Sequence, residues 1–137
     1  MCRVYSNMLM VGVKDRARQL RELPLRVLAL DTAGQAIKCL RHQRVDSVIS
    51  HWDLVDMPDG ELLKRICSAR PQMPTVVFIK AGDRRQEILA RSLGVTAILS
   101  DDIDDEFFRS TVCQILNIEQ IASVSACAEG FGTLTTE

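Results

Sequence analysis

Among the side chains in this sequence able to ligate a metal, attack an electrophile or move a proton are two histidines, five cysteines and a scatter of aspartates. His42 and His51 stand nine residues apart and form no H-E-x-x-H pattern, and neither accompanies a nucleophile motif. The cysteines (Cys2, Cys39, Cys67, Cys113, Cys127) are odd in number and contain no C-x-x-C pair, so zinc and disulfide scaffolds are poor readings. Cys39, Cys67 and Cys113 lie among apolar residues at helical spacing, where a thiol acts as a small hydrophobe. Neither G-x-G-x-x-G nor a P-loop occurs. Gly12-Val13-Lys14-Asp15 is no phosphate cradle, which leaves Arg16 as the one candidate for an anion near a first helix. The densest chemistry is His51-Trp52-Asp53-Leu54-Val55-Asp56, with Lys80 and Asp101 further on. The ordinary reading is a hydrogen-bonded or solvated His51 with Asp53 and Asp56 as loop carboxylates. A metal held by His51, Asp53 and Asp101 is the sharper reading, and Lys80 and Asp101 could pair for at most ~1 kcal/mol. Trp52, the sole tryptophan, is expected to serve packing.

The elements that must position these residues alternate in type. Met8–Val13 is a continuous apolar run suited to a strand buried on both faces, followed by a short charged helical stretch from Lys14 to Glu22. Leu25–Leu30 predicts a second strand, and Asp31-Thr32 caps a helix carrying Ala36, Ile37 and Leu40. A third strand ends near His51, before a helix marked by Leu62, Leu63, Ile66 and Cys67. Thr75–Ile79 is β-rich; Asp83-Arg84-Arg85-Gln86 has the form of a capping box, and Gly94 stops the helix that follows. Thr96–Leu99 is a fifth strand, and Asp104, Asp105 and Glu106 suit the first turn of a last helix with Phe108, Val112, Ile115 and Leu116 on its buried side. Five strands alternating with five helices predict an α/β fold, a doubly wound five-stranded parallel sheet of flavodoxin-like type.

The 137 residues approach the usual size of one domain, and 47% hydrophobic content supplies a core. A net charge of −1 argues against nucleic acid as a partner. The charge is unevenly spread: residues 1–70 hold 12 Lys/Arg and 8 Asp/Glu, whereas residues 71–137 hold 5 and 10. That is either two solvated faces or a dipolar surface that orients a protein partner. No apolar run nears the ~20 residues of a membrane span, and the N-terminus lacks the apolar stretch of a secretory signal. A cytoplasmic, membrane-free protein is the expectation.

The run from Asp46 to Leu63, with Met73–Ile79 and Leu93–Leu99, resembles the phosphoacceptor region, fourth strand and fifth-strand junction of bacterial response-regulator receiver domains. The resemblance covers roughly Met8 to Asn117 and implies a (βα)5 receiver architecture over residues 1–122, with 123–137 as a C-terminal tail. It also implies a chemistry: two acidic residues after strand one hold Mg²⁺, an aspartate ending strand three accepts a phosphoryl group, and a hydroxyl and a lysine bind its oxygens. Carried over residue by residue, the acidic pair falls on Gly12 and Val13, the phosphoacceptor on His51, the hydroxyl on Ile79 beside Lys80, and the lysine on Asp101. Reading Asp53 as acceptor instead requires an inserted residue before Met57-Pro58-Asp59-Gly60, and sliding the first strand by two brings in only Asp15. In the preferred register Val55 replaces the family's usual proline and Asp59 its glycine.

The expectation is therefore a degenerate, stand-alone receiver-like signalling module that binds protein partners, with no catalytic residue, metal or cofactor. The resemblance further suggests a homodimer through a face including Arg91, Ile98, Asp105 and Arg109. The alternatives are a phosphorelay receiver using Asp53 or His51, and a small flavodoxin-like binder of a nucleotide or anion.

Overall fold

A computed structural model describes residues 6–20 and 23–116. The tail and the proposed domain boundary at 122 lie outside the described residues. Five parallel strands, β1 (Ser6–Val11), β2 (Leu25–Leu30), β3 (Ser47–His51), β4 (Thr75–Ile79) and β5 (Ala97–Ser100), form one sheet in the order β2-β1-β3-β4-β5. The helices are α1 (Ala33–His42), α2 (Glu61–Ala69), α3 (Arg84–Ser92) and α4 (Asp105–Ile115). The doubly wound parallel sheet read from the sequence is the observed one.

The apolar strands follow from burial on both faces. Side chains alternate across a strand, so Met8 and Met10 join Ile49, Val76, Phe78 and Leu99 on one side, under Phe108 and Val112 of α4. Leu9, Val11 and Val48 point the other way, against Ala33, Ala36 and Cys39 of α1 and Leu62 and Ile66 of α2. Beneath α3, Val77, Ile79, Leu63 and Ala90 enclose the Trp52 ring. Trp52 is 1% exposed, so it serves packing as expected.

Two expectations change. The first strand ends at Val11, because Gly12 turns out of it at φ +74°. The stretch expected as the first helix is a 3₁₀ helix over Lys14–Leu20, not an α-helix. Its apolar residues, Ala17 and Leu20, are three apart, the repeat of a 3₁₀ helix, and both turn toward the core.

The helix caps also differ in detail. Thr32 and Gln35 form the complete capping box of α1. At α3 only half of one forms: Asp83 accepts the Gln86 N–H, while the Gln86 side chain turns elsewhere. Gly94, at φ +80°, ends α3 as the sequence suggested.

Candidate functional site

In a parallel sheet every strand-to-helix loop emerges at the same end, and ligands bind there in open α/β folds. The ends of β1, β3, β4 and β5 bring Gly12, His51, Asp53, Lys80 and Asp101 to that rim. Val13 and Ile79 are each 5% exposed and point into the core instead. The two positions matched to the acidic pair thus offer one bare backbone and one core side chain.

The space above Gly12 is taken. Leu54, itself buried, lies with Cδ2 2.7 Å from where a Cβ on Gly12 would stand, and His51 Cβ lies 3.7 Å from the same point. Paired backbone hydrogen bonds with Met57 fix Leu54, the Leu54 N–H donating over 3.1 Å and the Met57 N–H over 3.2 Å. An apolar side chain therefore occupies the end of β1, at the position to which the resemblance assigned the cation-binding carboxylates.

His51 ends β3, and its ring is half-buried. Its Nδ1 accepts the Asp53 backbone N–H at 3.2 Å, so in the neutral ring the proton sits on Nε2. Nε2 faces Asp101 Oδ2 at 3.8 Å, too far for a direct hydrogen bond. Asp101 does not pair with Lys80, as the sequence had suggested. It faces His51 and takes the Ala81 N–H on Oδ1 at 3.2 Å. The Lys80 side chain is exposed, while its backbone N–H donates to Gln86 Oε1 at 2.9 Å.

Asp53 is spoken for on both oxygens. Oδ1 accepts the Asp59 N–H at 2.8 Å and Oδ2 accepts from Gln86 Nε2 at 3.1 Å. Gln86, buried, thereby ties the loop after β3 to the end of β4 and the start of α3. Asp59 takes φ +59°, the left-handed conformation that suits the glycine of the family pattern. Asp56 reaches across to α1, where its oxygens accept the N–H groups of Ala33 at 2.8 Å and Gly34 at 2.9 Å. Those two backbone donors hold its carboxyl below the usual carboxylate range.

Among the described residues no group of three or more His, Cys, Asp or Glu side chains converges as a metal site. His51, Asp53 and Asp101 are thus not brought together as a metal site, and the residues present do not fit the Mg²⁺ that the resemblance implies. Arg16 is not an anion ligand either. Its guanidinium lies 5.3 Å from the Phe78 ring centroid and 5.9 Å from that of Phe108. It also donates to the Asp101 carbonyl at 3.0 Å and pairs with Asp105 at 3.3 Å.

That contact also fixes where one residue of the expected partner face points. Asp105 turns toward the 3₁₀ helix, and Phe107, two residues on and ~200° around α4, is exposed on another side of it. Arg91 is exposed on α3 but paired with Glu87 at 2.8 Å, and Ile98 is partly buried beside Leu89 and Leu93. Arg109 is half-buried on α4.

Sequence reasoning named Asp56 and Gln86 but not the contacts they make, and it passed over Leu54 and Phe107. Leu54 gave a signal as an apolar residue inside a polar loop.

No family model and no curated protein matches the chain. Solved structures do. A CheY-like response-regulator receiver domain protein from Methanospirillum hungatei JF-1 aligns over 83% of this chain and 95% of its own at 16% identity, TM-score 0.75. The signal receiver domain of an HD-domain-containing protein from Pseudomonas fluorescens Pf-5 aligns over 83% and 96% at 25% identity, TM-score 0.75. That of a putative Luxo repressor protein from Vibrio parahaemolyticus aligns over 93% and 100% at 16% identity, TM-score 0.74. Strand order, helix placement and these likenesses agree: the chain has the receiver-domain fold of response regulators.

Proposed function

We propose that this chain is a signalling module that works by binding another protein and carries no phosphoryl group on aspartate. The observation that supports this most is Leu54 seated against Gly12 where a cation-binding carboxylate would be needed. Without that cation, an incoming phosphoryl group would meet the carboxylates of Asp53 and Asp101 with no metal to offset their charge. A cytoplasmic, non-enzymatic role without nucleic acid belongs to the same reading. Among the described residues no helix is long and apolar enough to cross a membrane.

The surface offered to a partner is the α3–β5–α4 side. Ile88 on α3 and Phe107 on α4 are the exposed large apolar residues of these helices, 64% and 54% exposed, and Arg91 lies about one turn beyond Ile88. Asp105 and Arg109 flank it toward the 3₁₀ helix, and a homodimer through this side is one form the contact takes.

Phosphorelay through Asp53 fits less well, since both its oxygens already accept hydrogen bonds. His51 fits less well too, because its Nε2 faces a carboxylate. Nucleotide or anion binding at the strand ends has Leu54 in its way. The test is incubation with acetyl phosphate and Mg²⁺ followed by intact mass. An unchanged mass is expected, and a phosphoryl gain abolished by Asp53→Ala or His51→Ala would overturn the reading.

A further inference from the structure

A groove of about 380 Å³ lies between α1 and α2. Partly exposed Ile37 and Leu40 line one side, buried Leu62 and Ile66 lie at its base, and Arg41, Arg65 and Arg70 stand among the lining with no acidic residue. Arg70 donates to the Leu40 carbonyl at 2.8 Å and bridges the two helices. Arg65 shares Glu61 at 3.3 Å in an exposed pair, which contributes little. Arg41 has no ion-pair partner among the described residues. The groove thus wants an apolar side chain set among carboxylates.

Two exposed features of this chain have that character, Val55 between Asp53 and Asp56 and, with the larger side chain, Phe107. Phe107 projects from the first turn of α4, 54% exposed. Around it in sequence are Asp102, Asp104, Asp105 and Glu106, all exposed. The groove lies on the sheet face covered by α1 and α2, whereas α4 covers the opposite face. A molecule's own Phe107 therefore cannot enter its own groove.

We propose that a second copy of the chain docks the acidic, Phe107-bearing start of its α4 into this arginine-lined groove. The contact joins two different patches, so it is heterologous and propagates head to tail. It goes beyond the proposed function, because it holds whether or not a phosphoryl group is ever carried. Charge complementarity makes it salt-sensitive, and the small contact makes it weak.

Sedimentation velocity of the whole chain over a concentration series tests it. Association is expected at low salt and is lost near 0.5 M salt, about the range where screening is nearly complete. Phe107→Ser, and separately Arg41→Glu with Arg65→Glu, are each expected to weaken association roughly tenfold or more. All three positions are on the surface, and circular dichroism checks that the variants stay folded. Mixing the two variants leaves one intact knob and one intact groove. A 1:1 dimer with nothing larger is expected. A wild-type chain that stays monomeric at about 1 mM in low salt would overturn the proposal and leave the groove to a different protein. So would variants that associate like wild type, or a mixture that stays monomeric.

Discussion

Leu54 rests on Gly12: Cδ2 of the one lies 2.7 Å from the point where the other would carry a Cβ. Gly12 also takes φ +74°, a conformation costly for any other residue. Two penalties therefore meet in Gly12→Ala, and about 2–3 kcal/mol of destabilisation is expected. Leu54→Ala alone costs about 2 kcal/mol or more through the cavity it leaves. Combined, the clash disappears while the backbone strain stays, so the double variant should fall short of additivity by about 1 kcal/mol. Urea unfolding of the three variants measures this, and strict additivity would mean that the contact does not couple them.

The fold was legible because its signals were local and redundant. Leu9 and Val11 must face one way if Met8 and Met10 face the other, so an unbroken apolar run could only be a strand covered on both sides. The loop after β3 was legible only in what it lacked. That Val13 turns inward depends on the left-handed turn at Gly12, and that Asp56 serves α1 depends on contacts spanning 22 and 23 residues. Asp53 looked free for chemistry because nothing near it in sequence shows Gln86 arriving from α3, 33 residues away. Periodicity reads which face a residue takes, not which distant donor finds it.

Gly60 and Trp52 make a second obligate pair. A Cβ on Gly60 would stand 2.5 to 2.7 Å from three atoms of the indole ring. The ring cannot step aside, since Leu63, Val77, Ile79 and Ala90 surround it. Gly60→Ala should therefore cost more than about 3 kcal/mol. Gly82→Ala is the control: φ is +83°, but nothing lies within 4 Å of the added Cβ, so only backbone strain of about 1 kcal/mol is expected. Trp52 is the sole tryptophan, so its emission reports the damage directly. A red shift is expected for Gly60→Ala and none for Gly82→Ala.

Arg16 clamps the 3₁₀ helix to the β5–α4 loop through a side chain only 14% exposed. Its planar guanidinium lies over two aromatic rings while donating at its edge, which a lysine cannot do at once. Arg16→Lys should cost about 1 kcal/mol and Arg16→Ala about 2 kcal/mol. Asp105→Ala should cost about 0.5 kcal/mol or less, because that carboxylate is more than half exposed. Thermal unfolding ranks the three. Equal losses for Arg16→Ala and Asp105→Ala would assign the stabilisation to the ion pair and not to the rings.

Acid should loosen the loop after β3 before it unfolds the sheet. Backbone N–H groups of Ala33 and Gly34 hold the Asp56 carboxyl low, and the Asn7 N–H, with Arg44 in a lesser role, does the same for Asp46. A carboxyl whose folded pKa lies below its unfolded value of about 3.9 binds fewer protons when folded, so its contribution is complete above that value. It is lost as pH falls through the lower, folded pKa. Tm should therefore be flat with respect to these two groups near neutrality and fall below about pH 4. Asp56→Asn keeps one acceptor and cannot ionise, so it should lower Tm at pH 7 by a few degrees and flatten the acid limb. Amide exchange at Ala33 and Gly34 separates this loop from Asp46, at the far end of the strands. Both amides should exchange faster in Asp56→Asn at neutral pH, and unchanged protection there would show that Asp56 does not hold the start of α1.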